Sequence, residues 1–229
     1  MKQKLLVAAV LVASSFAVSA QSSFEGFYGQ VGVGYSSSKP SAGTTTLTPP
    51  AGSSPSSYAM STSVSTANSF NGAVSAGYTF LVQPKFTLGL GVDYMPVAGQ
   101  SANYSVSNSN LSPSTISSTY KQNSLYNVYI APGFVIDKDS LVYAKLGYSG
   151  TQIKFGNGGS TNYTGYLVGL GYKQIITGGL YGFGELNYTS YGNQTSSITG
   201  PWASGGTYGI SNTNNAQALN AMLGIGYKF

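Results

Sequence analysis

The amino-acid sequence predicts an all-β fold, an eight-stranded antiparallel up-and-down transmembrane β-barrel. Apolar and polar residues alternate with a period of two in eight segments, and the connections between these segments alternate between long and short. Charged residues make up only 7% of the chain. Soluble domains usually carry about 25% charged residues, so a surface this poor in charge is not expected to face water.

The first 20 residues have the features of a cleaved export signal. Lys2 and Lys4 precede a mostly apolar run at 5–16, and the small residues Val18 to Ala20 offer a cleavage site. The run is shorter than the roughly 20 apolar residues of a membrane-spanning helix. We therefore expect residues 1–20 to be a signal peptide and residues 21–229 to be one exported barrel domain.

The eight alternating segments are the predicted strands. In an extended strand, alternate side chains point to opposite faces. Here one face is aliphatic or aromatic and the other is small or polar, as expected for lipid-facing and lumen-facing sides. The segments span residues 27–36, 70–80, 86–94, 126–136, 142–149, 166–173, 180–189 and 219–229. The fourth contains Pro132, which cannot donate to a ladder, and the seventh alternates less regularly.

The connections predict which end of the barrel faces outward. Long connections cover 37–67, 96–119 and 192–214, a moderate one covers 155–161, and tight turns lie near 81–84, 137–140 and 176–179. Outer-membrane barrels combine short periplasmic turns with longer extracellular loops in this way. The long connections are rich in Ser, Thr, Asn, Gly and Pro, so we expect them to be mobile extracellular loops.

Composition excludes several classes of chemistry. The chain has no Cys, no His and no Arg. Without His there is no Ser-His-Asp triad, no Cys-His pair and no imidazole metal ligand, so we expect neither an enzyme nor a cofactor. A Ser-Lys dyad using Lys145 or Lys173 stays open, although no local motif supports it. Eight lysines and five acids remain after cleavage, a balance of +3 that is too weak to indicate nucleic-acid binding.

Four charged residues fall on predicted lumen-facing positions: Asp93, Lys145, Lys173 and Glu185. They could form a salt-bridged plug or line a small polar pore. Burying them unpaired would cost several kcal/mol each. Because eight strands leave an interior that side chains just fill, we favour the plug.

Two groups of aromatic residues are distinguished by their positions. Seven lie on outward faces near strand ends, which indicates an aromatic girdle at the membrane interfaces. These are Tyr35, Tyr78, Tyr94, Tyr148, Tyr172, Tyr188 and Tyr227. Tyr58, Tyr104, Trp202 and Tyr208 fall in the long connections, and they are our candidates for contact with a partner.

The C-terminal segment carries the most specific motif. Leu223, Ile225, Tyr227 and the terminal Phe229 alternate with small or polar residues. This pattern resembles the last strand of Gram-negative outer-membrane proteins, whose closing aromatic is a signal for the barrel-assembly machinery. Together with the Phe27-to-Gly32 opening, it makes the mature chain resemble the small porin-family barrels of the opacity-protein and OmpA-like superfamily.

The resemblance implies a place in the outer membrane, with lipid and lipopolysaccharide as surroundings and periplasmic chaperones as partners during biogenesis. Members of that superfamily serve as adhesins, structural proteins or narrow pores. The first hypothesis is therefore a structural or adhesion barrel whose extracellular loops bind a host or cell-surface ligand. The alternatives are a narrow pore or transporter for small solutes, and a secreted soluble β-sandwich.

Overall fold

The part of the chain that the structure describes folds into eleven antiparallel strands. A computed structural model describes residues 23–41, 43–96, 101–108, 115–156, 158–202 and 205–229, so the predicted signal peptide lies outside the described residues. The strands are β1 (Gly26–Pro40), β2 (Thr44–Thr48), β3 (Tyr58–Val64), β4 (Ala67–Gln83), β5 (Phe86–Met95), β6 (Ser101–Ser107), β7 (Thr115–Asp137), β8 (Ser140–Phe155), β9 (Ser160–Thr177), β10 (Leu180–Pro201) and β11 (Thr207–Lys228). Within the described residues, no helix has the length and apolar content needed to cross a membrane.

Eight of these strands close into a ring in the order β1, β4, β5, β7, β8, β9, β10 and β11. The ring closes because β11 pairs with β1, with Ile225 opposite Val31, while Val31 also faces Val74 on β4. These eight strands contain the eight predicted segments except for the last residue, Phe229, so the predicted barrel is confirmed. A single closed sheet also replaces the two packed sheets of the sandwich alternative.

Three turns of two residues each connect strands at the predicted periplasmic end. They lie between β4 and β5, between β7 and β8, and between β9 and β10. Gly178 adopts a positive φ of 56°, which glycine accepts without strain. In the β7–β8 turn, the Asp139 backbone N–H and the Ser140 hydroxyl donate to the Asp137 carboxylate. These hydrogen bonds lower the pKa of the Asp137 carboxyl.

The extracellular connections differ from the predicted mobile loops. β2 pairs with β11 and β3, β3 pairs with β6, and β6 pairs with β7, so these segments extend the wall above the barrel. The prediction was wrong for these residues because they need no core of their own. Strands already fixed by the barrel offer their backbone hydrogen bonds, and Thr favours extended structure. Residues 97–100 and 109–114 of the same connections lie outside the described residues.

The outward surface carries an aliphatic band between two aromatic girdles. All seven predicted tyrosines face outward, and Tyr78 and Tyr188 among them are half-buried by neighbours. Outward aromatics near the extracellular end are Tyr35, Phe70, Tyr94, Tyr126, Tyr148, Tyr166 and Tyr188, and those near the periplasmic end are Phe27, Tyr78, Phe80, Phe86, Phe134, Tyr172, Tyr227 and Phe229. Leu223, Ile225, Tyr227 and Phe229 of the C-terminal motif are all exposed on this face.

Inward glycines make room for inward aromatic rings. The Tyr143 ring lies directly over Gly171, and the Tyr181 ring lies over Gly226 on the adjacent strand. A methyl group at either glycine would overlap the ring. The narrow interior is therefore filled by rings seated on glycines, which is why the predicted seventh segment, with Tyr181 and Phe183 on its inward face, alternates irregularly.

Pro132 lies inside β7 after all. On one side, Pro132 is opposite Leu88 on β5. On the other side, β7 pairs with β8 at Ile130–Leu146 and again at Gly133–Tyr143, and Pro132 lies in the gap between these pairs. The missing N–H therefore falls where the β7–β8 ladder is interrupted.

Candidate functional site: the closed lumen

Three of the four predicted charges meet at the centre of the barrel. Asp93 comes from β5, Lys145 from β8 and Glu185 from β10, each on the inward face of its strand. The Lys145 Nζ donates to Asp93 Oδ2 at 2.9 Å and to Glu185 Oε2 at 2.8 Å. Lys145 is 0% exposed, so this ion pair spans the lumen without contact with bulk solvent.

Neutral side chains complete the hydrogen bonding of Glu185. The Tyr143 hydroxyl donates to Oε1 at 2.6 Å, and the Asn187 amide donates to Oε2 at 3.1 Å. Gln30 donates to Oε1 at 3.4 Å and accepts a hydrogen bond from Tyr181. A buried carboxylate that accepts this many donors is stabilised in its ionised form.

Asp93 has a smaller set of donors. The Asn127 amide donates to Asp93 Oδ2 at 3.2 Å, beside the Lys145 bond to the same oxygen. The Lys145 Nζ also lies 4.0 Å from the centre of the Tyr129 ring. The cluster therefore connects β5, β7, β8 and β10 through side chains alone.

Lys173 is held differently from the other three charges. Its Nζ lies 3.9 Å from the centre of the Tyr28 ring, 4.8 Å from that of Tyr181 and 5.4 Å from that of Tyr143. Among the described residues, no carboxylate oxygen lies within 4.0 Å of this nitrogen. Lys173 thus lies outside the directly bonded group of three charges, in an aromatic cage one level below Glu185, where its ammonium group makes cation–π contacts.

Little free space remains around these groups. Two cavities of about 10 Å³ each flank the cage, and Lys173 and Tyr28 line both of them. A cavity of this size holds about one water molecule. Neither forms a passage past Lys145.

Apolar layers close the lumen on both sides of the ion pair. Below it, Phe24 packs with Val135 and Leu141 in the periplasmic half. Above it, Tyr120, Ile153, Tyr163 and Tyr191 form a buried cluster that Tyr104 covers. The lumen is thus filled along its length by packed side chains.

The predicted loop aromatics are parts of the extracellular wall. Tyr58 lies in β3 and Tyr104 in β6, where Tyr104 packs on the buried cluster. Trp202 and Tyr208 stack edge-to-face across the tip of the β10–β11 hairpin, with ring centres 6.1 Å apart. All four are half-buried, so each has a packing role in addition to any contact with a partner.

Sequence reasoning missed the luminal rings as functional neighbours. Strand parity places Tyr28, Tyr129, Tyr143 and Tyr181 on inward faces, but it gave them no part in the site, where they surround the charges. The available signal was the presence of inward glycines on the adjacent strands, because a ring needs such a gap in a narrow barrel. No group of three acidic residues that could hold a metal ion occurs in the described part of the chain.

These features define a transmembrane β-barrel with a filled lumen and an extracellular extension. A model of the outer membrane protein beta-barrel domain family matches residues 6–229. The chain therefore belongs to this family, and it is an outer-membrane protein of Gram-negative bacteria. No curated protein matches its sequence significantly.

Solved structures of outer-membrane proteins are similar to this chain. OprG of Pseudomonas aeruginosa aligns with a TM-score of 0.50 at 14% identity, over 90% of this chain and 96% of that one. Ail, the attachment invasion locus protein of Yersinia pestis, aligns with a TM-score of 0.43 at 16% identity, over 90% and 99%. The outer membrane protease OmpT of Escherichia coli aligns with a TM-score of 0.45 at 10% identity, over 95% and 100%.

Proposed function

We propose that this protein is a surface-display barrel, which anchors an extracellular β-structure for binding and does not conduct solutes. The observation that carries the proposal is the fully buried Lys145, bonded at once to Asp93 and Glu185 across the lumen. A solute passing through the barrel would have to separate this ion pair. Breaking a buried pair costs about 3–5 kcal/mol, so the closed state is strongly favoured.

The charge balance of the lumen supports the same proposal. Two lysines and two carboxylates are buried there, which leaves the interior neutral overall. A pore that selects ions needs charged groups accessible to the solute. Here, each charge contacts an opposite charge or aromatic rings, so the charges serve to hold strands together.

A catalytic role for the luminal lysines has no support in their contacts. Lys145 donates to two carboxylates, and Lys173 faces three rings. Neither contact set includes the serine hydroxyl that a Ser-Lys dyad requires. We propose that the protein has no enzymatic activity.

Outward lysines support contact with lipopolysaccharide. Lys39, Lys121 and Lys154 are exposed on the extracellular half, where no acidic residue of the described strands faces outward. Lys121 and Lys154 are directly opposite on β7 and β8, a like-charge pair that is unfavourable unless an anion neutralises it. Phosphate groups of the outer leaflet would supply that charge.

The route to the membrane follows from the two ends of the chain. We propose cleavage after Ala20, passage with periplasmic chaperones, and recognition of Leu223, Ile225, Tyr227 and Phe229 by the barrel-assembly machinery. The exposed, lipid-facing side chains of that motif suit recognition before the strand is embedded.

Conductance of the refolded mature chain in planar bilayers tests the proposal. Folding is confirmed first by the mobility difference between boiled and unboiled samples. We expect no defined openings from folded protein. Discrete openings whose ion selectivity changes in an Asp93→Asn variant would contradict the proposal and establish the pore alternative.

A further inference from the structure

The upper half of β10 is hydrogen-bonded on one side only. Pairing with β9 ends at Tyr191–Gly165, whereas pairing with β11 resumes at Gln194–Asn214 and continues to Pro201–Thr207. Residues 192–201 therefore present a free backbone edge, and no described segment pairs with it. We call these residues the β10 edge.

A β-bulge creates this edge. The register between β10 and β11 shifts between Tyr191 and Gln194, at the point where the β9 ladder ends. A bulge bends its strand, increases the local twist and can terminate pairing. β9 begins only at Ser160, which is paired with Lys154 on β8, so β9 does not extend along the full length of the edge.

The β10 edge lacks the usual protection of an exposed strand. Natural edges are shielded by charged side chains, by proline or by covering segments, because free N–H and C=O groups recruit other strands. No charged residue occurs between Glu185 and Lys228, and proline appears only at the last position, Pro201. Thr195, Ser197 and Thr199 are exposed along the strand.

We propose that the β10 edge binds an extended, uncharged polar segment of a partner polypeptide, added as a further antiparallel strand. The proposal rests on the surface-binding function argued above and names the kind of ligand. Main-chain hydrogen bonds supply the affinity in such strand addition, and the alternating side chains supply the specificity.

The outer face of the hairpin indicates the partner's side chains. Thr195 Oγ1 lies 2.8 Å from Thr213 Oγ1 on β11, so hydroxyls already pair across strands on this face. A partner strand with Thr, Ser or Asn at alternate positions would continue that pattern. A charged partner segment would find no counter-ion on the β10–β11 hairpin.

A second copy of this chain does not fit the edge. Two copies in one membrane have the same inside–outside orientation, so both β10 strands run outward from their periplasmic turns. A symmetric strand pair requires opposite directions, because equivalent residues must exchange hydrogen bonds. A symmetric pair within one membrane is therefore excluded, and we assign the edge to a segment of a different polypeptide.

Cysteine trapping tests the proposal, because the chain has no cysteine of its own. Ser197→Cys places a thiol on the β10 edge. Ser211→Cys is the matched control, because Ser211 is paired with Ser197 and is also exposed. Ser211 lies on β11, where Thr46 of β2 already occupies the other side of the strand. The probe is a synthetic peptide copying Thr207–Asn214, which pairs antiparallel with β10 in the hairpin, with cysteine in place of Ser211.

We expect mild oxidation of folded protein to trap the peptide on the Ser197→Cys variant at least about tenfold more than on the control. An added strand would lie about 5 Å from β10 but about 10 Å from β11, and disulfides require Cα atoms closer than about 7 Å. N-methylation of two alternate peptide amides removes two hydrogen bonds and should reduce trapping about tenfold.

Equal or absent trapping at the two positions, or equal trapping of the methylated peptide, would overturn strand addition. Boiled and unboiled mobility confirms that each variant is folded. The result is independent of the bilayer measurement: a conducting barrel would overturn the surface-display proposal, whereas a silent barrel with unselective trapping would overturn only the β10 edge.

Discussion

At the scale of single residues, the ion cluster joins distant parts of the chain. Lys145 connects β5 with β10 through residues that are 52 and 40 positions away in sequence. The cluster costs desolvation energy, which its mutual attraction and the surrounding donors offset. Its contribution is therefore best measured by comparing one broken pair with complete removal of the charges.

Lys145→Met is expected to destabilise the barrel by about 3–5 kcal/mol, because it leaves two buried carboxylates without their cation. The triple variant Asp93→Asn, Lys145→Met, Glu185→Gln removes every charge of the cluster and is expected to stay within about 2 kcal/mol of the parent chain. Urea unfolding in lipid vesicles measures both. A single variant as stable as the parent would show that the ion pair does not hold the strands.

A glycine under a ring provides a second test at this scale. Gly171→Ala forces a methyl group into the Tyr143 ring, which also bonds Glu185, and overpacking of this kind costs about 1–3 kcal/mol. Gly29→Ala is the control, since the nearest atom to its added methyl group would be 4.0 Å away. The same unfolding measurement should separate the two, and equal stabilities would argue against ring-on-glycine packing.

At the scale of strands, the alternating pattern predicted those strands that cross the membrane. All eight barrel segments could be read from sequence, because one face of each must be apolar where lipid surrounds it. β2, β3 and β6 lack that constraint outside the membrane. Their Ser- and Thr-rich sequences read as loops, since only pairing with existing strands makes them ordered.

The candidate site was predictable to a similar degree. The inward positions of Asp93, Lys145, Lys173 and Glu185 follow from strand parity. The separation of Lys173 from the ion pair depends on register between neighbouring strands, which places it beside Leu141 and Phe183 and below Glu185. Alternation within one strand carries no information on that vertical offset.

Shortening one hairpin tests whether the extension is separate from the barrel. Joining Tyr191 directly to its partner Ala216 through an Asn-Gly turn removes the upper parts of β10 and β11 at their last regular pair below the bulge. We expect the shortened chain to fold into the membrane, as judged by boiled and unboiled mobility, while losing surface binding. Failure to assemble would mean that the extension belongs to the folding core.

At the scale of the whole molecule, the first and last strands meet at the periplasmic rim. The Phe229 backbone N–H donates to the Phe27 carbonyl at 2.9 Å, which closes the seam between the last and first strands. The Phe229 ring is 70% exposed toward lipid and packs edge-to-face on Tyr227. Its side chain thus contributes little to packing inside the barrel, consistent with a role in recognition during assembly.

Phe229→Ala is expected to reduce the amount of protein assembled in the outer membrane of cells, while the purified, refolded barrel keeps nearly its parental stability. Leu219→Ala is the control, because Leu219 faces lipid on the same strand but lies outside the C-terminal motif. Heat-modifiable protein in membrane fractions gives the assembled amount. Equal loss in both variants would point to lipid contact, and not to a terminal signal, as the function of the ring.

The bulge between Tyr191 and Gln194 also separates two parts of β10 that tolerate insertions and deletions differently. Below it, β10 is paired on both sides, so a single inserted or deleted residue would exchange its lipid-facing and lumen-facing side chains. Above it, the β10–β11 hairpin can gain or lose residue pairs at its tip without altering any membrane-embedded register. Divergence among relatives should therefore appear as variation in hairpin height over a barrel of constant circumference.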